Sequence, residues 1–108
     1  MGVFLGNMTI ALNGSNSSSI GGRLLRSVKS IEIHAPAALD GTVTLAAADD
    51  IDEGSFTTVQ SGGSDVGLTS SKVLVITELP FHSLRVESDA SEDPAKVFPV
   101  FGEERTHQ

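Results

Sequence analysis

The chain has 108 residues, no cysteine, tryptophan or tyrosine, and 14 acids against 7 bases, for a formal net charge of −7. This length allows one domain with one core. Disulfides and thiolate metal sites are excluded, and nucleic acid is disfavoured because a polyanion would meet mostly like charge. With 39% hydrophobic and 19% charged residues, the body reads as an ordered domain rather than a solvated tail.

Val3-Phe4-Leu5 is a short apolar anchor between glycines. Residues 1–6 therefore read as an N-terminal arm that either adds to a neighbour or tucks under its own domain. Met8, Ile10 and Leu12 alternate with Thr9 and Ala11 in a first strand with one apolar face. NGSNSSSIGG, residues 13–22, follows as a polar loop crossing the end of the domain. Lys29 to His34 is a strand with Ile31 and Ile33 on one face, stopped by Ala35-Pro36. Asp40-Gly41 is a hairpin-type turn into a third strand with Val43, Leu45 and Ala47 on one face.

Asp49 to Gly54 is an acidic turn, Phe56 and Val59 follow it, and Ser61 to Asp65 makes another turn before Val66 and Leu68. The run Val73-Leu74-Val75-Ile76 has three β-branched residues of four and reads as a strand covered on both faces. Leu79-Pro80-Phe81 breaks the ladder, after which Leu84 and Val86 alternate with Arg85 and Glu87 in a half-exposed strand. Asp89 to Pro94 is an acidic loop, Ala95 to Phe101 is a last strand, and Pro99 places that strand at an edge or beside a bulge. Residues 103–108 form a polar tail. Turn signals about every 8 to 12 residues between short alternating runs predict a single all-β domain, an antiparallel β-sandwich of roughly seven or eight strands.

Charge is uneven along the chain. Residues 1–31 carry no acid and the bases Arg23, Arg26 and Lys29, whereas residues 32–108 carry a net −10. That polarity suits a subunit with a basic end set against a partner and an acidic body toward water. No basic n-region, long apolar h-region or run of transmembrane length is visible, so the expectation is a soluble protein without membrane attachment.

Patterns that carry chemistry are weak. Asp49, Asp50, Asp52 and Glu53 offer oxygens for Ca²⁺, but with Asp50 at position 1 the glycine falls at position 5 and Ser61 at position 12, so the EF-hand pattern fails. His34, His82 and His107 lack metal-ligand spacing, and no serine lies in a G-x-S-x-G elbow. The glycine pairs at 21–22 and 62–63 match no phosphate-loop pattern. The expectation is a protein that is not an enzyme and uses no cofactor or metal. Of the terminal phenylalanines, Phe4 is expected at a contact and Phe101 in the core.

Two segments resemble known modules. DEGSFTTV, Asp52 to Val59, resembles the Asp-Gly-x-aromatic segment of discoidin-like and carbohydrate-module jelly rolls, in which the aromatic packs in the core. LPFHSLRVES, Leu79 to Ser88, resembles their aromatic-Arg-Tyr-apolar-Arg-apolar strand, with Ser83, Leu84, Arg85 and Val86 at its last four positions. Phe56 stands where tryptophan is usual and the tyrosine is absent, which removes the usual glycan platform. Taken whole, from GNMTIALN through FPVFGEE, the chain resembles small virion proteins of tailed bacteriophages.

The resemblance implies a jelly-roll-like structural subunit of the virion, assembled in the host cytoplasm. Most simply it implies a capsid decoration, or cement, protein that forms trimers and stabilises the shell of major capsid protein. A head-to-tail or tail structural protein is the near alternative, and a glycan-binding jelly roll the further one. In the first reading Val3, Phe4 and Leu5 supply buried area and Arg23, Arg26 and Lys29 steer docking onto an acidic patch of the shell.

Overall fold

The computed structural model describes residues 2–21, 28–48, 56–77 and 83–104. Among them there is no helix, and eleven β-strands form antiparallel sheets. Six strands have four or more residues: β1 (Gly2–Ile10), β3 (Val28–His34), β4 (Val43–Ala48), β9 (Val73–Ile76), β10 (Ser83–Ser88) and β11 (Lys96–Glu104). The remainder are two-residue strands: β2 (Ile20–Gly21), β5 (Thr57–Thr58), β6 (Gln60–Ser61), β7 (Ser64–Asp65) and β8 (Gly67–Leu68). Sheet A runs in the order β1-β11-β3-β9, and sheet B in the order β2-β10-β4-β5 with β8 also paired to β4. The two sheets pack face to face as the expected β-sandwich.

Alternation explains the packing. Each strand sends every second side chain between the sheets: Met8 and Ile10 from β1, Ile31 and Ile33 from β3, Phe98 and Val100 from β11, Val43 and Leu45 from β4, Leu84 and Val86 from β10. Phe98 lies opposite Met8, Val100 opposite Ile33, and Val86 opposite Leu45, so the largest buried side chains meet as cross-strand neighbours. Burying each such side chain is worth about 1.5–3 kcal/mol.

The polar segment 13–19 has a more definite role than crossing an end. Ser17 donates its N–H to Val86 O at 2.9 Å, and its hydroxyl accepts from Val86 N at 2.9 Å. The same segment bridges Ile10, and Ser18 donates to Thr9 O at 3.1 Å. It thus stitches β10 of sheet B to β1 of sheet A along one side. Ile20, the single apolar residue of that loop, is buried as part of β2.

Several expectations are corrected. Residues 2–6 are no arm: they are the first half of β1 and pair with β11 across a bulge between Phe4 and Gly6. β1 ends at Ile10, so Leu12 lies beyond it and is exposed. Asp40-Gly41 joins strands of different sheets rather than a hairpin. β9 is not covered on both faces; it is the edge strand of sheet A, with Val73 48% and Val75 55% exposed. β11 is an interior strand, so of the two places expected for Pro99 it takes the one beside a bulge: it lies opposite Asn7, next to the β1 bulge, one residue before pairing with β3 begins at Val100. Glu103 and Glu104 belong to β11, and residues 105–108 of the expected tail lie outside the described residues.

Gly102 sits on the inward row of β11. A Cβ there would lie 2.6 Å from Val28 Cγ1 and 3.0 Å from Leu5 Cδ1. Only a missing side chain lets Leu5 and Val28 close over β11. Gly102→Ala is expected to lower the free energy of unfolding by about 1–3 kcal/mol, read from the midpoint of urea denaturation at unchanged slope.

Candidate functional site

The outward row of sheet A is the candidate surface. β1 supplies Phe4, Asn7 and Thr9; β11 supplies Val97, Pro99, Phe101 and Glu103; β3 supplies Ser30, Glu32 and His34; β9 supplies Val73 and Val75. Phe4 faces Phe101 across the β1–β11 ladder with ring centroids 5.4 Å apart, and His34 meets Phe101 edge-on at 5.2 Å. Phe4 is 55% and Val97 42% exposed. Phe4 and Phe101 adjoin on β1 and β11, while Glu32 and His34 of β3 lie between them and Val75 and Val73 of β9, so the face mixes apolar and polar side chains.

Phe4 reaches this face because of the bulge. Met8 and Ile10 point into the core, so without an extra residue Phe4 would share their side. The bulge at Leu5 reverses the phase, turning Leu5 toward the core and Phe4 outward. The expectation of Phe101 in the core is corrected for a related reason: Phe98 and Val100 hold the inward phase of β11, which sends Phe101 to the outer face.

The charged side chains on this face have polar partners. Lys29 Nζ lies 3.2 Å from Glu103 Oε1, and His34 Nε2 lies 3.4 Å from Glu32 Oε1. Between β9 and β11, over the small side chain of Ser30, a shallow hollow of about 320 Å³ is bordered by Glu32, Val75, Thr77, Phe101 and Glu103.

The six residues expected at a contact are therefore not brought together as a group. Phe4 is on the outer face, Lys29 borders it through Glu103, and Leu5 packs on the core. Val3 lies opposite Gly102 and is exposed. Arg23 and Arg26 lie outside the described residues, as do the acidic turn Asp49 to Glu53, His82 and His107. Among the described residues no three His, Cys, Asp or Glu side chains are grouped to hold a metal ion. Phe56 does not pack in the core as the jelly-roll resemblance implies; it is half-buried under Arg85, whose guanidinium carbon lies 4.1 Å from the ring centroid. Arg85 is also paired with Glu87 at 2.6 Å.

Glu92 lies in the segment whose sequence reads only as an acidic loop, with no motif to mark it. It is fully buried at one end of the sandwich. Its carboxylate accepts Asp40 N and Gly41 N at 3.0 Å each and the Ser88 hydroxyl at 2.7 Å. Its own backbone donates to Gly14 O and accepts from Asn13 N. One side chain and its peptide thus tie the β1–β2, β3–β4 and β10–β11 loops together. Asp89 accepts Thr42 N at 2.7 Å, Asp40 accepts Asp93 N at 2.6 Å, and the buried Lys96 places its ammonium 3.9 Å from Asp40.

Burial raises the Glu92 pKa, and so does the nearby Asp40 carboxylate. The hydrogen bonds from Asp40 N, the Ser88 hydroxyl and Gly41 N outweigh both, so the group stays below its ordinary value of 4.5 and is held as the carboxylate.

No family model matches the chain, and comparisons with curated proteins and with solved structures return no match.

Because the folded pKa of Glu92 is depressed, its contribution to stability is complete above the ordinary value of 4.5 and is lost as pH falls through the lower folded value. Glu92→Gln is expected to cost about 1–3 kcal/mol at neutral pH by leaving buried donors without an acceptor. The gap between variant and wild type should close as pH falls through that window, followed by urea denaturation across a pH series.

Proposed function

We propose that this chain is a structural subunit of a virion, a capsid decoration protein that adheres to the shell of major capsid protein through the outer face of sheet A. The observation that carries the reading is one sheet face with Phe4, Val97 and Val75 exposed and Phe101 half-buried against Phe4, where Glu32 separates Phe101 from Val75 and the Lys29–Glu103 pair borders the face. A covered core of aromatic and β-branched side chains with a polar rim is the anatomy of a protein–protein contact. The overall charge of −7 disfavours polyanions and leaves a protein surface as the natural counterpart.

Mechanistically the subunit acts as a clamp. Contacts made only with the assembled shell add free energy to that state and none to free subunits, so occupancy stabilises the shell by linkage. The aromatic pair Phe4–Phe101 anchors the contact, and the bases Arg23, Arg26 and Lys29 raise the rate of encounter with an acidic patch. Attachment at the head-to-tail junction or on the tail uses the same face on a different neighbour.

Deleting residues 1–6 would remove half of β1 along with any contact, so point substitutions on the outer row give the cleaner test. Phe4→Ser and Val97→Ser are expected to reduce occupancy on undecorated shells by roughly tenfold or more, a loss of at least about 1.4 kcal/mol, while circular dichroism and thermal midpoint stay close to wild type. Occupancy unchanged in both variants would overturn the assignment of this face, and wild-type binding to tails but not to shells would move the subunit to the tail.

A further inference from the structure

The two edges of sheet A differ. Along β1, Thr9 and Ile10 are engaged by Ser17 and Ser18, and the Leu5 bulge distorts the rest. β9 has neither device. Val73 to Ile76 pairs with β3 on one side, and among the described residues no strand pairs with the other. Alternate N–H and C=O groups of β9 therefore face away from the sheet, a template for another strand. Proteins normally blunt such an edge with charge, proline or a bulge, and Val73 to Thr77 contains none of these.

We infer that two copies of this chain pair along β9, antiparallel, about a two-fold axis midway between Val75 and its counterpart in the second copy. The strand fits itself. With Val75 opposite Val75 of the second copy, Leu74 meets Ile76 and Val73 meets Thr77, so every cross-strand pair joins apolar or β-branched side chains. The register also keeps Val73, Val75 and Thr77 on the outer face and Leu74 and Ile76 on the inner one, which a one-residue slip would reverse.

Each copy carries −7, and two copies repel over most of their surfaces. Residues 66–77 hold Lys72 and no acid, so the paired segments set no two carboxylates together.

The axis is perpendicular to the sheet. Joining two copies therefore extends sheet A across the seam and turns both Phe4–Phe101 faces to the same side. The assembly is two-fold rather than the trimer the phage resemblance implies. A pairing this short buries less than the roughly 800 Å² per partner of a standard interface, so the dimer forms in a concentration-dependent equilibrium. Two faces on one side would then strengthen attachment to a repeating surface through effective concentration. The pairing itself does not rest on the shell reading and is tested in the purified protein alone.

Sedimentation equilibrium over a wide concentration series is expected to show a monomer–dimer equilibrium for the wild type. Val75 is 55% exposed, so Val75→Lys and Val75→Glu leave the monomer folded while setting like charges together on the axis. Each alone should weaken the dimer at least tenfold, and an equimolar mixture should restore it by pairing lysine with glutamate. A wild type that stays monomeric throughout, a variant that associates like the wild type, or a mixture no tighter than either variant would each overturn the proposed pairing.

Discussion

The contact between the inward rows of the two sheets is what the rest of the molecule depends on. A pleated strand has only two rows of side chains, and the core needs one of them: Met8 and Ile10, Ile31 and Ile33, Phe98 and Val100 from one layer, Leu45, Leu84 and Val86 from the other. Once these rows face each other, the opposite rows must look outward whatever their chemistry. On sheet B the outward side of β10 is covered locally, since Arg85 reaches over Phe56 and binds Glu87. On sheet A no comparable cover lies over the described residues, and Phe4, Val97, Val73 and Val75 remain exposed.

An acidic chain has to place its charges with care, and this one uses carboxylates as structural acceptors. Loops carry backbone N–H groups that no ladder satisfies. Glu92, Asp89 and Asp40 take up the amides of Asp40, Gly41, Thr42 and Asp93 at one end of the sandwich. The serine-rich segment does similar work along one side, where the Ser17 hydroxyl and amide both bond Val86. These polar ties allow loops without apolar side chains to hold fixed positions.

Strand positions were legible because alternation survives in a single sequence: β3, β4, β10 and β11 lie where Ile31/Ile33, Val43/Leu45, Leu84/Val86 and the run before Phe101 place them. Neighbours were less legible. Val73 to Ile76 has the composition of a central strand, yet strand order depends on residues far away in the chain, and the run lies at an edge. The outward turn of Phe4 depends on a bulge with no sequence signature beyond the glycine beside it. Asp40-Gly41 has the signature of a hairpin turn, but the Gly41 backbone is not in the left-handed region; a side chain there would lie 2.5 Å from Asp89 Oδ1 and Ser88 Oγ. Glu92 was hidden for the same reason, because its partners come from loops some fifty residues apart.

The β6–β7 hairpin has a different use. Its tip, Gly62-Gly63, is left-handed at both positions, as a tight two-residue hairpin turn requires, and a side chain added at either glycine would touch nothing within 4 Å. Gln60 and Asp65 close its base with a 2.8 Å hydrogen bond, and the strands below it anchor on β4 through Val59 and Val66. A foreign peptide spliced between the two glycines would begin and end on a ready-made pair of antiparallel stems, away from the buried rows and the outer face of sheet A. The tip is thus a natural place to carry a tag or a displayed epitope on each copy of the protein.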